Sequence, residues 1–198
     1  MKESLKKWQG TAAVIGVDWG DSGKGRLIDD LAQNAQIIAR FNGGSNTGHT
    51  VKNQYGKFAL HIVPSGIFNQ KAKSIIGRNV VVDLESLIED ELKQLKDAGI
   101  SAKNLIIDEQ ATLTMPWHRL RDGLREKQRS SKIGTTGRGV GPAYADRIER
   151  AGLRIKDLIS PDFKQKLKDE LDFQSQFFGL KLSFAQVFEK YSKYAKIA

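Results

Sequence analysis

A seven-residue stretch, Gly-Asp-Ser-Gly-Lys-Gly-Arg at positions 20–26, constrains this chain more than any other. Before it run Ala12, Ala13, Val14, Ile15, Gly16 and Val17, an apolar sequence of the kind that fills a buried parallel strand. After it come Leu27, Ile28, Asp29, Asp30, Leu31 and Ala32, which have helical spacing. A glycine turn from strand to helix aims free backbone N–H groups and the positive end of the helix dipole at one point, and such a point binds phosphate. Gly20, Gly23 and Gly25 let the backbone bend and approach a ligand closely. Lys24 adds a mobile positive charge. Asp21 is out of place, because a carboxylate repels phosphate unless it holds a metal or takes a proton.

The stretch departs twice from the pattern G-x-x-x-x-G-K-[ST]. Asp18 stands where the first glycine would fall, and Gly25 follows Lys24, so no hydroxyl is supplied for Mg²⁺. If a metal binds, Asp21 is the substitute ligand. The rest of the chain alternates apolar runs with helical patterns. Residues 36–41 read as the next strand, followed by a second glycine-rich loop at 42–50. In a parallel β-α-β unit both loops face one crevice at the carboxyl ends of the strands. Val51 to Ile62 reads as a hairpin turning at Asn53, Gln54, Tyr55 and Gly56. Residues 74–77 and 80–82 read as short buried strands. Asp83 caps a helix with an apolar stripe at Leu84, Leu87, Ile88, Leu92 and Leu95, which Gly99 stops. Residues 105–107 make another strand, and a basic helix runs from about Pro116 to Arg129.

A third glycine-rich loop spans residues 133–144, with Gly134, Gly137, Gly139 and Gly141, the hydroxyls of Thr135 and Thr136, and Arg138. That mix suits close approach to a polar ligand. Beyond Ser160-Pro161 the chain is helical to about Phe178. Ser183 and Gln186 start a last helix, whose apolar face of Phe184, Val187, Phe188, Tyr191 and Tyr194 has no evident partner. The expected fold is α/β: a mostly parallel central sheet flanked by helices, P-loop-like, with a helical C-terminal segment. Residues 1–152 form the nucleotide-binding core and residues 153–198 the helical part.

The net charge of +9 over 198 residues calls for an anionic partner. Residues 119–150 hold nine Lys and Arg against four Asp and Glu, about half of the excess, so the charge is local. There is no cysteine and no apolar run long enough to span a bilayer, and the first residues lack a signal-peptide pattern. A cytoplasmic location and no membrane partner follow as expectations.

Three signatures now stand in order: residues 20–26, Gly48-His49-Thr50, and the loop of residues 134–144. With His61-Ile62-Val63-Pro64-Ser65-Gly66-Ile67 and Ser74-Ile75-Ile76-Gly77 between them, they closely resemble adenylosuccinate synthetase. The resemblance runs from about Ala13 to at least Ile159. It implies condensation of IMP with L-aspartate at the expense of GTP, with Mg²⁺ as cofactor. It implies that Asp21 is the catalytic base at N1 of the purine and a Mg²⁺ ligand with the carbonyl of Gly48. His49 would be the acid that steadies the transferring phosphoryl group, assisted by Lys24. Gly20, Asp21, Ser22, Gly23, Lys24, Gly25, Arg26, Gly48, His49 and Thr50 would surround GTP. Asp21, Lys24, Asn46, Thr47, Gly48, His49, Thr136 and Arg150 would contact IMP, Arg150 reaching across a homodimer interface into the neighbouring site. His61 and His118 lack such a setting and read as structural.

Ser22 stands where the family usually has Glu, Ser45 where His is common, and Arg26 where Lys is frequent. Room beside the base at Ser22 would suit a 2-amino group, which opens an alternative: the related phage activity on dGMP. The family is about twice this long, and the parts that read guanine and aspartate fall beyond residue 198, so this chain by itself is not expected to run the whole reaction. A GTPase switch would need Lys-[ST] directly after the loop glycine and an Asn-Lys-x-Asp, neither of which occurs. A nucleic-acid-binding module would account for the charge but not for three glycine loops.

Overall fold

A computed structural model describes residues 10–17 and 23–197. Its spine is β4, Lys73–Val82, whose Ile76, Val80, Val81 and Val82 are fully buried. A strand covered on both faces reads as a nearly continuous apolar run, and that is what the sequence shows. β1, Ile37–Gly43, and β5, Leu105–Ile107, flank it in parallel, and β6, Thr112–Leu113, continues in parallel beside the far end of β4. The two strand segments expected at 74–77 and 80–82 are thus one strand. A register shift between Arg40 and Asn42 in β1 lets it follow β4 past the irregular middle.

β2, His49–Asn53, and β3, Gly56–Leu60, form the expected antiparallel hairpin as a separate two-stranded sheet. α1, Lys24–Ala32, packs against β2. Asp83 caps the next helix through the Ser86 N–H, as expected. That helix opens as a π-helical stretch, Ser86–Leu92, and continues as α2, Lys93–Asp97, before Gly99 ends it at φ 73°. α3, Pro116–Gln128, lies against α4, Val140–Glu149. A short α5, Ile155–Leu158, leads to the pair α6, Phe163–Phe178, and α7, Phe184–Tyr194.

Three local expectations are corrected. Residues 11–17 form no strand, and Ile15 and Val17 are exposed. An apolar run becomes a strand only where a neighbour takes its backbone groups, and among the described residues β1 pairs with β4 alone. The third glycine loop ends at Gly139, since Gly141, Pro142, Ala143 and Tyr144 belong to α4; Gly139 at φ 72° is its left-handed N-cap, and Pro142 is tolerated because it sits in the first turn. The apolar face of α7 does have a partner. Val187, Tyr191 and Tyr194 enter the main core with Phe184 and Phe188 packed against it. Tyr191 donates to the Thr114 carbonyl, Lys190 pairs with Glu85, and Tyr194 bonds Glu89, so α7 closes over the π-helical stretch.

Under α3 and α4 lies a buried polar cluster. Arg121 donates to both oxygens of Asp146 at 2.6 and 2.7 Å. The Met115 N–H donates to Nδ1 of His118 at 2.9 Å, and Nε2 lies 2.9 Å from Asp146 Oδ2 and 3.0 Å from the Trp117 indole nitrogen. Burial pushes the His118 pKa down, which keeps the ring neutral. Burial opposes the charge of Asp146, but His118 and Arg121 outweigh it and hold the carboxyl below its usual range. His118 is therefore structural, as expected.

Gly66 shows how tightly α1 is seated. A Cβ there would stand 2.4 Å from Ala32 Cβ and 2.9 Å from Ile38 Cδ1. Gly66→Ala is expected to destabilise the fold by about 1–3 kcal/mol through overpacking. Urea unfolding checks this, and an unchanged midpoint would show that α1 gives way freely.

Candidate active site

The site begins where α1 begins. Gly23, at φ 67°, is its left-handed N-cap, and among the described residues no side chain caps the helix. The first N–H groups of a helix have no partner within it, and a helix start is for that reason a common place for an anion. Directly beside the start of α1 stands His49. A Cβ on Gly25 would lie 3.1 Å from His49 Cβ and 3.5 Å from Ser65 Oγ, so only glycine at 25 lets the helix rest on the strand this closely. The first and second signatures thus meet. They meet through the start of α1 touching the start of β2, not through the two adjacent strands that the sequence suggested.

The loop of residues 44–48 is held at several points. Arg40 Nη2 donates to the Gly44 carbonyl at 3.0 Å and to Thr47 Oγ1 at 3.3 Å. Ser45 Oγ donates to Asp83 at 3.4 Å. Nδ1 of His61 bonds the Thr47 carbonyl at 3.0 Å. Tyr144 of α4 accepts the Gly43 N–H at 2.8 Å and donates to the Asn79 carbonyl at 2.6 Å. Gly44 is cramped between Val81 and Val140, with a Cβ falling 2.8 and 2.9 Å from their methyl groups. These bonds join the second loop to α4, the helix into which the third loop runs.

His49 is half-buried, and burial first, then the positive fields of Arg40, Lys24 and His61, lower its pKa to about 4. The imidazole expected to act as an acid is therefore neutral at pH 7 in the free protein. An anion placed among Lys24, Arg40 and the start of α1 reverses that field and draws a proton onto the ring.

The structure brings Gly23, Lys24, Gly25, Thr47, Gly48 and His49 into one region. Arg26, Asn46 and Thr50 are exposed beside it. Thr136 is exposed in the stretch before α4. Arg150 stands apart: it is exposed at the C-cap of α4, in the left-handed region at φ 62°, about 15 Å of helix from Val140. Gly20, Asp21 and Ser22 lie outside the described residues. Among the described residues no group of three or more His, Cys, Asp or Glu forms a metal site. The implied Mg²⁺ fits the donor chemistry all the same. Gly48 is exposed, so its carbonyl is accessible, and carbonyl, carboxylate and phosphate oxygens are the hard ligands Mg²⁺ takes.

Two residues of this region were not foreseen. Arg40 shares the inward side of β1 with Ile38. Glu91 falls four residues after Leu87 and four before Leu95, inside the apolar stripe, where a lone carboxylate needs buried donors. Both are polar residues at core positions, and that misfit was the available signal.

The adenylosuccinate synthetase family pattern matches residues 13–198. The chain belongs to this family. It is 50% identical over 168 residues to the adenylosuccinate synthetase of Halothermothrix orenii, covering 84% of this chain and 39% of that one. It is 43% identical to that of Acetivibrio thermocellus, covering 94% and 45%. Among solved structures it resembles a fully ligated adenylosuccinate synthetase of Plasmodium falciparum at TM-score 0.83 and 29% identity, covering 91% of this chain and 43% of that one. A cyanophage S-2L succinoaminodeoxyadenylate synthetase shares the fold at TM-score 0.56 and 21% identity. The chain spans less than half the length of these proteins.

The His49 pKa has a consequence for stability. Below pH 6.5 the unfolded chain binds a proton at His49 that the folded chain refuses until about pH 4. The stabilisation from the neutral ring is therefore full above pH 6.5 and is lost as pH falls toward 4. Urea midpoints measured from pH 7.5 to 4.5 should fall less steeply for His49→Asn than for the unsubstituted protein. Parallel curves would show that His49 titrates normally.

Proposed function

We propose that this chain carries the phosphate-handling part of an adenylosuccinate synthetase site, which condenses IMP with L-aspartate while converting GTP to GDP and phosphate. The observation that carries the reading is the contact of Gly25 with His49, inside the ring of Lys24 and Arg40. It sets the start of α1, which carries Lys24, against the imidazole of His49, an arrangement that suits an anion.

The chemistry explains these residue types. The 6-oxygen of hypoxanthine is a poor nucleophile and a poor leaving group. Asp21, as base, takes the N1 proton, and the charge moves to the 6-oxygen. That oxygen attacks the γ-phosphorus and GDP leaves. The amine of aspartate then attacks C6, and phosphate departs with the former 6-oxygen. Lys24 and the ring of His49, protonated once the polyphosphate is bound, offset charge on the transferring group. A base so placed contributes about 10²–10⁴-fold. Mg²⁺, held by Asp21 and the Gly48 carbonyl, supplies further charge neutralisation at the phosphates. Gly20, Ser22, Gly23, Gly25, Arg26 and Thr50 complete the GTP contacts, and Asn46, Thr47 and Thr136 those to IMP. Arg150 serves the neighbouring site of a homodimer. Its place at the opposite end of α4 from Val140, which packs against Gly44, supports that assignment. The protein acts in the cytoplasm in this reading.

Thermal unfolding tests the proposal directly, because a ligand that binds only the folded state raises stability by about 2.7 kcal/mol at 100 times its Kd. GTP with Mg²⁺, and IMP, should each raise Tm. His49→Asn should retain most of the GTP shift, since its role is in transfer rather than docking. Stabilisation by RNA alone, steeply lost with salt and not competed by IMP, would replace this reading with nucleic-acid binding.

A further inference from the structure

His61 was expected to be structural, yet from just beyond β3 it contacts the site's second loop. Its Nδ1 is 3.0 Å from the Thr47 carbonyl oxygen. A carbonyl only accepts, so Nδ1 carries the proton in that bond. The ring's Cε1 faces Gly48, where an added Cβ would come within 3.3 Å of it. His61 thus grips one peptide group and lies flush against the next residue, the two that immediately precede His49. The grip is itself anchored. The His61 N–H donates to Oε2 of Glu91 at 2.9 Å, and the N–H groups of Ile62 and Val63 donate to the same carboxylate at 2.9 Å each. Glu91 is fully buried. Arg40 also bonds the segment, through the Thr47 hydroxyl and the Gly44 carbonyl. The segment is therefore held by both His61 and Arg40.

We infer that His61 is a positioning residue for the phosphate site: locked as its Nδ1–H tautomer by the Thr47 carbonyl, it holds the Thr47–Gly48 segment so that Gly48 and His49 face the start of α1. The consequence for ligand binding rests on the function proposed above; the tautomer and the local rigidity do not.

The first test needs no ligand. In the full chain, ¹⁵N NMR of the imidazoles should show a pyrrole-type nitrogen at Nδ1 of His61, opposite to the Nε2–H form that free imidazole side chains prefer in water. An Nε2–H ring would overturn the inference. The second test uses two substitutions. The amide N–H of His61→Asn reaches the position of Nδ1, whereas that of His61→Gln reaches the position of Nε2. In His61→Asn the hydrogen-exchange rates of the Gly48 and His49 amides should stay within about twofold of the original, and in His61→Gln they should rise about fivefold. Loss of one neutral hydrogen bond is worth such a factor. The Kd for GTP with Mg²⁺ should follow the same order. A purely packing role would make the two variants alike, and equal exchange rates in Asn and Gln would reject the positioning role. If the unsubstituted chain binds no GTP, the proposed function fails, while the tautomer and the exchange rates still decide the role of His61.

Discussion

The carboxylate of Glu91 is the interaction on which both sides of the site depend. Residues 62–68 are buried without being helix or strand, so their backbone donors need partners other than water. Glu91 accepts three consecutive N–H groups there, from His61, Ile62 and Val63. Burial raises its pKa and these bonds pull it back down, with burial prevailing. The segment it anchors does two jobs. At its start, His61 and the end of β3 fix the hairpin that carries His49. A few residues on, Ser65 and Gly66 form the surface on which α1 sits, with Gly66 against Ala32 and Ser65 beside Gly25. A hairpin and a helix distant from Glu91 in sequence are therefore set relative to each other by one buried charge.

Most of the secondary structure was legible because it rests on local signals. The stripe from Leu84 to Leu95, the cap at Asp83, the stop at Gly99 and the turn at residues 53–56 each carry their own physical cause within a few residues. What was not legible depends on partners distant in the chain. Residues 11–17 look like a strand by composition, but composition does not supply a ladder. Residues 140–144 look like loop because glycine and proline are frequent in loops, yet Gly139 is the N-cap and Pro142 lies in the first helical turn, where its missing N–H removes no bond within the helix. The last helix looked unpartnered because its partners, Glu85, Glu89 and Thr114, lie about 80–105 residues earlier.

The site was legible as chemistry before it was legible as geometry. Glycine spacing with Lys24 and Gly48-His49-Thr50 pointed to a phosphate site and to candidate members of it. Nothing in the sequence said that Gly25 is required because it touches His49, or that Arg40 and Tyr144 tie the loops to β1, β4 and α4. Such residues are chosen by contacts across the fold, and their signal is faint: a polar side chain where the pattern calls for an apolar one. Arg40 and Glu91 both fit that description.

The electrostatics add an order of events that residue types alone do not contain. An imidazole assigned as an acid needs a proton, and in the free protein His49 refuses one near neutrality because burial and three neighbouring nitrogenous side chains oppose it. In the proposed function the same neighbours, together with the helix start, attract a polyphosphate. Once an anion occupies the space, the positive field that excluded the proton is neutralised and the ring lies next to a negative charge. If His49 serves as the proposed acid, the acid is made by the ligand it acts on, and the surplus positive charge that keeps the ring neutral in the free protein is the feature that would also draw an anionic substrate in.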